Sequence, residues 1–265
     1  MNKFLVLLSF FILSFANAGT LGIQEHLGEK VDLDLTFLNE KGERETLKQL
    51  MEGKPTILTL NYFRCAGICT PQLNELARVL GRLDLAENTD YKVVTISFAE
   101  DETPELAAAK KKNMIHAIKR QYIQDAWRFA IGENNSSHVL SKQVGFVFEK
   151  TVSEHGKVDY IHGAALIIIS PEGKITRYLN GVEQLPFDVK MALTEASNEK
   201  VGPTVAKMVE YCFSYDPKGR TYIFMWEKLA AVIMTLIMLG FFIYLLKQGR
   251  KKDDREVANR RDEEQ

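Results

Sequence analysis

Apolar positions follow three patterns along this chain. Residues 4–15 and 229–246 are near-continuous apolar runs, and between them apolar residues either alternate with polar ones or recur at helical spacing. Residues 31–38 (VDLDLTFL) alternate well enough for a strand, and Glu40-Lys41-Gly42-Glu43 follows as a turn. Residues 55–63 (PTILTLNYF) are rich in β-branched and aromatic side chains, the pattern of a central strand covered on both faces. A helix is predicted after Arg64-Cys65-Ala66-Gly67-Ile68-Cys69. Thr70 suits its N-cap, Pro71 its first helical position, and Leu73, Leu76, Ala77, Leu80 and Leu83 share one face.

Next come a strand at 91–98 and a helix over 104–122, opened by Pro104 and striped with Met114, Ile115, Ile118 and Tyr122. Lys110, Lys111 and Lys112 are expected on the solvated side of that helix. Residues 126–134 are an aromatic segment, 139–144 read as a short helix and 145–148 as a strand. A buried strand at 164–169, the turn Ser170-Pro171-Glu172-Gly173-Lys174, a return strand at 175–179 and a closing helix at 187–197 complete the section. The order β–α–β–α–β–β–α with extra N-terminal strands predicts an α/β domain of thioredoxin-like fold over 19–200.

The two apolar runs supply the rest of the organisation. Residues 1–18 have the form of a secretory signal peptide: Lys3, an apolar run, then Ala16-Asn17-Ala18 before Gly19. The 229–246 run carries no charge, and at ~1.5 Å rise per residue it measures roughly 27 Å, close to a bilayer core. Trp226 and Tyr244 stand where interfacial aromatics belong, and Lys247, Arg250, Lys251 and Lys252 mark a cytoplasmic side. The expected plan is a signal peptide, an exported domain, a connector at 201–228, one C-terminal transmembrane helix at 229–246 and a charged cytoplasmic tail at 247–265. A composition of 46% hydrophobic and 26% charged residues is that of an ordinary globular protein, and a net charge of −1 implies no nucleic-acid partner.

Candidate chemistry concentrates at Cys65 and Cys69, where the central strand gives way to a helix. Free N–H groups and the positive helix end favour a thiolate there, and Arg64 adds positive charge in the sequence beside it. Such a pair can be a structural disulfide, a redox-active dithiol or two ligands of a soft metal. Closing a loop of about five residues restrains the unfolded chain little, which disfavours the structural use. Thioredoxin-type enzymes space their cysteines by two residues, whereas here there are three. Cu(I) takes thiolates at low coordination number, and an imidazole would complete such a site. The histidines are His26, His116, His138, His155 and His162. His162 precedes the buried strand at 164–169, but spacing alone does not bring it to the cysteines.

The segment 62–76 (YFRCAGICTPQLNEL), Ile161-His162 ahead of a strand, and Ser170-Pro171-Glu172-Gly173 resemble the Sco/SenC family of copper proteins of cytochrome c oxidase assembly. The resemblance spans roughly 20–225 and is closest to a bacterial branch with a C-terminal membrane anchor. In that branch Cys-Thr, here Cys69-Thr70, replaces Cys-Pro, and a Cys-x-x-Tyr-Asp-Pro element, here starting at Cys212, lies near the anchor. The resemblance implies a thioredoxin-like fold and copper, Cu(I) or Cu(II), held by Cys65, Cys69 and His162. It also implies a membrane-bound metallochaperone that delivers copper to oxidase subunit II or a similar receiving protein. The expected location is then a bacterial inner membrane, crossed once, with the domain in the periplasm. Two positions depart from the family: Ala66 stands where proline is common, and Ile161 where many members carry aspartate. The rival expectation is a thiol–disulfide oxidoreductase using Cys65 and Cys69 as a redox-active pair on an exported partner. A peroxidase on the same fold would need one activated cysteine and no His162. Cys212 makes the cysteine count odd and is expected to be a buried apolar residue.

Overall fold

The computed structural model describes residues 22–65, 67–152, 158–202, 213–216, 221–224, 234–235 and 237–242. The signal segment 1–18, Ala66, His155, Cys212 and the tail at 247–265 lie outside them. The chain divides into two compact units, Met1–Thr204 and Val205–Gln265.

In the first unit, short strands β1 (Gly22–Ile23), β2 (Thr36–Asn39) and β3 (Arg44–Thr46) lead into helix α1 (Leu47–Met51), which Thr46 caps in a capping box with Gln49. Strand β4 (Thr56–Asn61), helix α2 (Cys69–Leu80), strand β5 (Lys92–Ser97) and helix α3 (Pro104–Ala117) follow. Then come β6 (Trp127–Gly132), α4 (Ser136–Gln143), β7 (Phe146–Val152), β8 (Val158–His162), β9 (Ala165–Ile169), β10 (Ile175–Asn180) and α5 (Pro186–Ser197). Seven strands form one sheet in the order β10-β9-β4-β5-β6-β2-β3. Strands β4, β5 and β6 are parallel, while β9 runs antiparallel to β4 and β2 antiparallel to β6. A second, three-stranded sheet has the order β1-β7-β8.

The alternation of a strand divides the core in two. Ile57, Val93, Phe129, Leu166 and Ile168 face one side with Leu73, Leu76 and Leu80 of α2 and Val189 and Leu193 of α5. Their neighbours Leu58, Val94, Ala130, Ile167 and Ile169 face the other, with Leu47 and Leu50 of α1, Leu140 of α4, and both Cys65 and Cys69. Helices thus cover both faces of a mixed sheet with a parallel centre, a thioredoxin-like α/β architecture.

Three expectations change. Residues 126–134 contain a sheet strand, β6, whose Trp127 and Phe129 are wholly buried. Lys111 is not solvated: it is 8% exposed and pairs with Glu40 at 2.6 Å. The strand expected over 31–38 begins only at Thr36, because Asp34 N–H donates to Asp32 Oδ1 (2.9 Å) and turns the chain there.

Gly145 holds the small sheet in place. Its φ is +62°, and a Cβ there would lie 1.6 Å from the Gln24 carbonyl oxygen; Gln24 N–H in turn donates to the Gly145 carbonyl (2.7 Å). Gly145→Ala is expected to cost about 2 kcal/mol or more, read as a lowered denaturant midpoint with unchanged slope.

In the second unit β11 (Phe213–Asp216) and β12 (Thr221–Phe224) form an antiparallel hairpin. Positions 234, 235 and 237–242 of the apolar run are helical, and Met234, Ile237, Phe241 and Phe242 among them are exposed. Among the described residues, no helix is long and apolar enough to cross a membrane.

Candidate metal centre

The carboxyl ends of the parallel strands build the site, the edge where open α/β sheets leave a crevice. After Asn61 the chain turns towards α2, and Glu102, following β5, fixes that turn. Its carboxylate, fully buried, accepts from the backbone N–H groups of Phe63 (2.7 Å) and Arg64 (2.8 Å) and from the Ser97 hydroxyl (2.6 Å). Three donors and the Arg64 guanidinium (3.5 Å) make that buried charge tolerable. Gln72 ties α2 to the neighbouring strands, accepting from Asn61 Nδ2 (3.0 Å) and donating to the Ala165 carbonyl (2.9 Å).

Helix α2 starts two residues earlier than its capping signals suggest. Cys69 is its first residue and Ile68 its N-cap, without a side-chain cap bond. Thr70 therefore sits inside the first turn, and its hydroxyl donates to the Cys65 carbonyl (3.2 Å), drawing the two cysteines together.

His162 ends β8, opposite Phe148 of β7. Its ring stands edge-on to Phe98 (5.2 Å between centroids) and tilted against Phe146 (5.6 Å). Nδ1 lies 2.7 Å from the Gly163 carbonyl, which can only accept, so Nδ1 carries the hydrogen. A neutral ring then presents the bare lone pair of Nε2, the arrangement a metal-binding imidazole needs. That Nε2 lies 3.1 Å from Cys69 Sγ, and the donor atoms of Cys65, Cys69 and His162 all fall within 4.8 Å of one another. Both cysteines are unpaired thiols and buried. Among the described residues, this is the one group of three or more Cys, His, Asp or Glu donors close enough to share an ion. The other described histidines stand elsewhere: His26 against Gln143, His138 against the Phe148 ring and His116 exposed on α3.

The two sulfurs are unlike. A hydrogen bond from the Cys69 thiol pulls the Cys65 pKa far down, against the opposing effect of burial, and the Cys69 backbone N–H adds to it. Burial, followed by the negative neighbour Cys65, pushes Cys69 well up. In the metal-free site the thiolate is therefore favoured at Cys65 and the protonated thiol at Cys69. Arg64 does not supply the stabilisation expected of it: its guanidinium is drawn to Asp101 (2.7 Å) and Glu102. Sequence reasoning missed Tyr62 and Asp159. The Tyr62 hydroxyl donates to Asp159 Oδ1, and so brings a carboxylate towards the site from β8 although Ile161 occupies the position beside the histidine. Only the place of Tyr62, at the mouth of the cysteine loop, hinted at this.

Residues 24–198 match the family model described as SCO1/SenC. This chain belongs to the SCO1/SenC family. A SCO1 protein homolog of Bacillus subtilis is 27% identical over 168 residues, which cover 63% of this chain and 81% of that relative. A protein of Aquifex aeolicus, provisionally assigned to electron transfer, superposes with a TM-score of 0.57 at 26% identity, covering 65% of this chain and 95% of its own. The fold is shared with ScoI of Arabidopsis thaliana, solved with copper bound, at a TM-score of 0.50 and 20% identity, over 62% of this SCO1/SenC chain and 96% of that one.

Proposed function

We propose that this SCO1/SenC protein binds copper through Cys65, Cys69 and His162 and passes it to a cysteine-containing partner in cytochrome c oxidase assembly. The observation that carries this reading is the convergence of two sulfurs and one imidazole nitrogen within 4.8 Å. Two sulfurs select a soft ion, and three donors suit Cu(I), whereas structural zinc takes four. The copper bound to the Arabidopsis relative supports the same reading, and membership of the SCO1/SenC family supports oxidase subunit II as receiver. The apolar run at 229–246 and the signal-like start support attachment to a bacterial inner membrane with the domain in the periplasm.

The test is copper stoichiometry. The reduced chain is expected to take up about one Cu(I), and a chain with Cys65 and Cys69 joined as a disulfide none. His162→Ala is expected to weaken binding at least tenfold, since loss even of a group that only supports a ligand typically costs about 10–100-fold. Unchanged affinity in that variant would take His162 out of the site.

The inequality of the two sulfurs favours one second reading, thiol–disulfide exchange. The Cys65 thiolate would attack a partner disulfide, releasing one partner thiolate, and Cys69 would resolve the mixed disulfide, releasing the other and leaving Cys65–Cys69 oxidised. That activity needs no imidazole ligand, so a His162→Ala chain that still matures the oxidase would point to it.

A further inference from the structure

His162 does not share a sheet with the cysteines. It ends β8 in the three-stranded sheet, whereas Cys65 and Cys69 follow β4 of the seven-stranded one. The gap between imidazole and sulfurs is therefore set by how the β7–β8 hairpin lies against the segments after β4 and β5. Much of that contact is ring packing: Tyr62 meets Tyr160 at 5.2 Å and Phe98 at 5.8 Å, and Phe98 stacks on Phe148 at 4.5 Å. Ring packing buries area but is weakly directional and tolerates sliding.

Beyond the approach of His162 Nε2 to Cys69 Sγ (3.1 Å), which belongs to the site itself, one directional polar contact crosses this boundary. The Tyr62 hydroxyl donates to Asp159 Oδ1, an oxygen that also accepts from the Tyr160 backbone N–H (2.8 Å). Tyr62 is 6% exposed and rooted beside the cysteine loop, while Asp159 lies at the exposed edge of the hairpin. A cavity of about 210 Å³, lined by Arg64, Val158 and Tyr160 among others, opens against Tyr62, so the contact can be reached from outside.

The geometry points to Tyr62 and Asp159 as a latch: their hydrogen bond holds the imidazole-bearing hairpin over the cysteine pair, and by doing so sets how fast copper leaves. Neither residue is a ligand; both act by positioning His162. The inference rests on the copper reading above. An incoming partner that hydrogen-bonds to either group loosens the imidazole without first touching the ion.

Tyr62→Phe is the clean test, because it removes one hydroxyl and keeps the ring in its cluster; Asp159→Ala removes the acceptor at an exposed position. Two measurements on the full chain separate the possibilities. In the metal-free protein, amide hydrogen exchange of residues 158–162 should rise in both variants while the strands of the large sheet keep their protection. In the copper-loaded protein, transfer of Cu(I) to an excess of a coloured Cu(I) chelator should quicken about tenfold in each, the size of one hydrogen bond to a charged group. The double variant should be no faster than either single one, since all three lose the same bond. Unchanged hairpin exchange in Tyr62→Phe, or effects that multiply in the double variant, would overturn the latch. A wild-type chain that takes up no copper sinks the copper reading instead, and the exchange measurement then still decides whether the latch holds the hairpin.

Discussion

Cys65→Ser is expected to abolish stoichiometric Cu(I) binding while leaving the domain folded. Cys65 supplies the thiolate of the site, favoured in that form by the hydrogen bond from the Cys69 thiol. A serine hydroxyl is a hard oxygen donor that stays protonated at neutral pH, and Cu(I) discriminates strongly against it. The remaining sulfur cannot take over easily, because burial pushes Cys69 towards the protonated thiol. The substitution changes little else, since the Cys65 side chain is small and its backbone carbonyl, which binds Thr70, is retained. Metal analysis after gel filtration, beside a melting curve, gives the answer. A serine variant that retains one tightly held Cu(I) would show that the sulfurs are not the ligands, and the functional proposal would go with them. Under the thiol-exchange reading the same variant loses all turnover, so the His162→Ala comparison remains the measurement that separates the two.

Glu40→Ala should be the most damaging change to stability away from the site. Glu40 stands in the turn after β2 with a side chain 6% exposed, and its carboxylate meets Lys111 Nζ at 2.6 Å, Arg128 Nε at 3.2 Å and the Phe129 backbone N–H at 3.1 Å. Removing it leaves two cations nine-tenths buried, relieved only in part by Glu45 against Arg128 (2.5 Å) and Asp125 near Lys111 (3.8 Å). Breaking a buried pair from one side costs about 3–5 kcal/mol, and for a domain of this size that is a melting temperature lower by about 10 °C. The cluster also sets an acid limit. Burial alone would raise the Glu40 carboxyl, but the Lys111 hydrogen bond and the charges of Lys111 and Arg128 outweigh it and hold it below its ordinary 4.5. A lowered carboxyl stabilises the fold above the unfolded value and loses that contribution as pH falls through the folded one. The wild-type chain should therefore lose stability as pH drops below about 4.5, and Glu40→Gln should flatten that part of the profile. A profile of the same shape in the variant would exclude Glu40 as its source.

The sulfur half of the site was legible in the sequence, and the nitrogen half was legible only through resemblance. An apolar run such as that ending at Asn61 can only be a covered strand or a buried helix segment, and its β-branched residues choose the strand. A cysteine pair directly after it must then lie at the sheet edge. No local rule connects β8 to that edge, because the pairing of His162 with Phe148 and its approach to Cys69 are long-range events. The sequence pattern assigns residues 158–162 to no element: the alternation of Asp159 and Ile161 with Tyr160 is too short to announce the separate strand that the structure shows. Lys111 failed for a different reason. Three consecutive lysines on a helix cannot all face one way, and which of them turns inward depends on where Glu40 waits across the fold. Arg64 likewise sits next to Cys65 in sequence yet answers to the acids after β5.

The division of the three donors between two sheets makes the imidazole a tethered third arm. Its effective concentration at the sulfurs depends on the fraction of time the small sheet is docked, and the apparent affinity for an ion falls in proportion to that fraction. Loading the ion must by the same linkage protect the hairpin from proteolysis. A change as remote as one at Gly145 should then loosen metal retention without altering any atom that touches the metal.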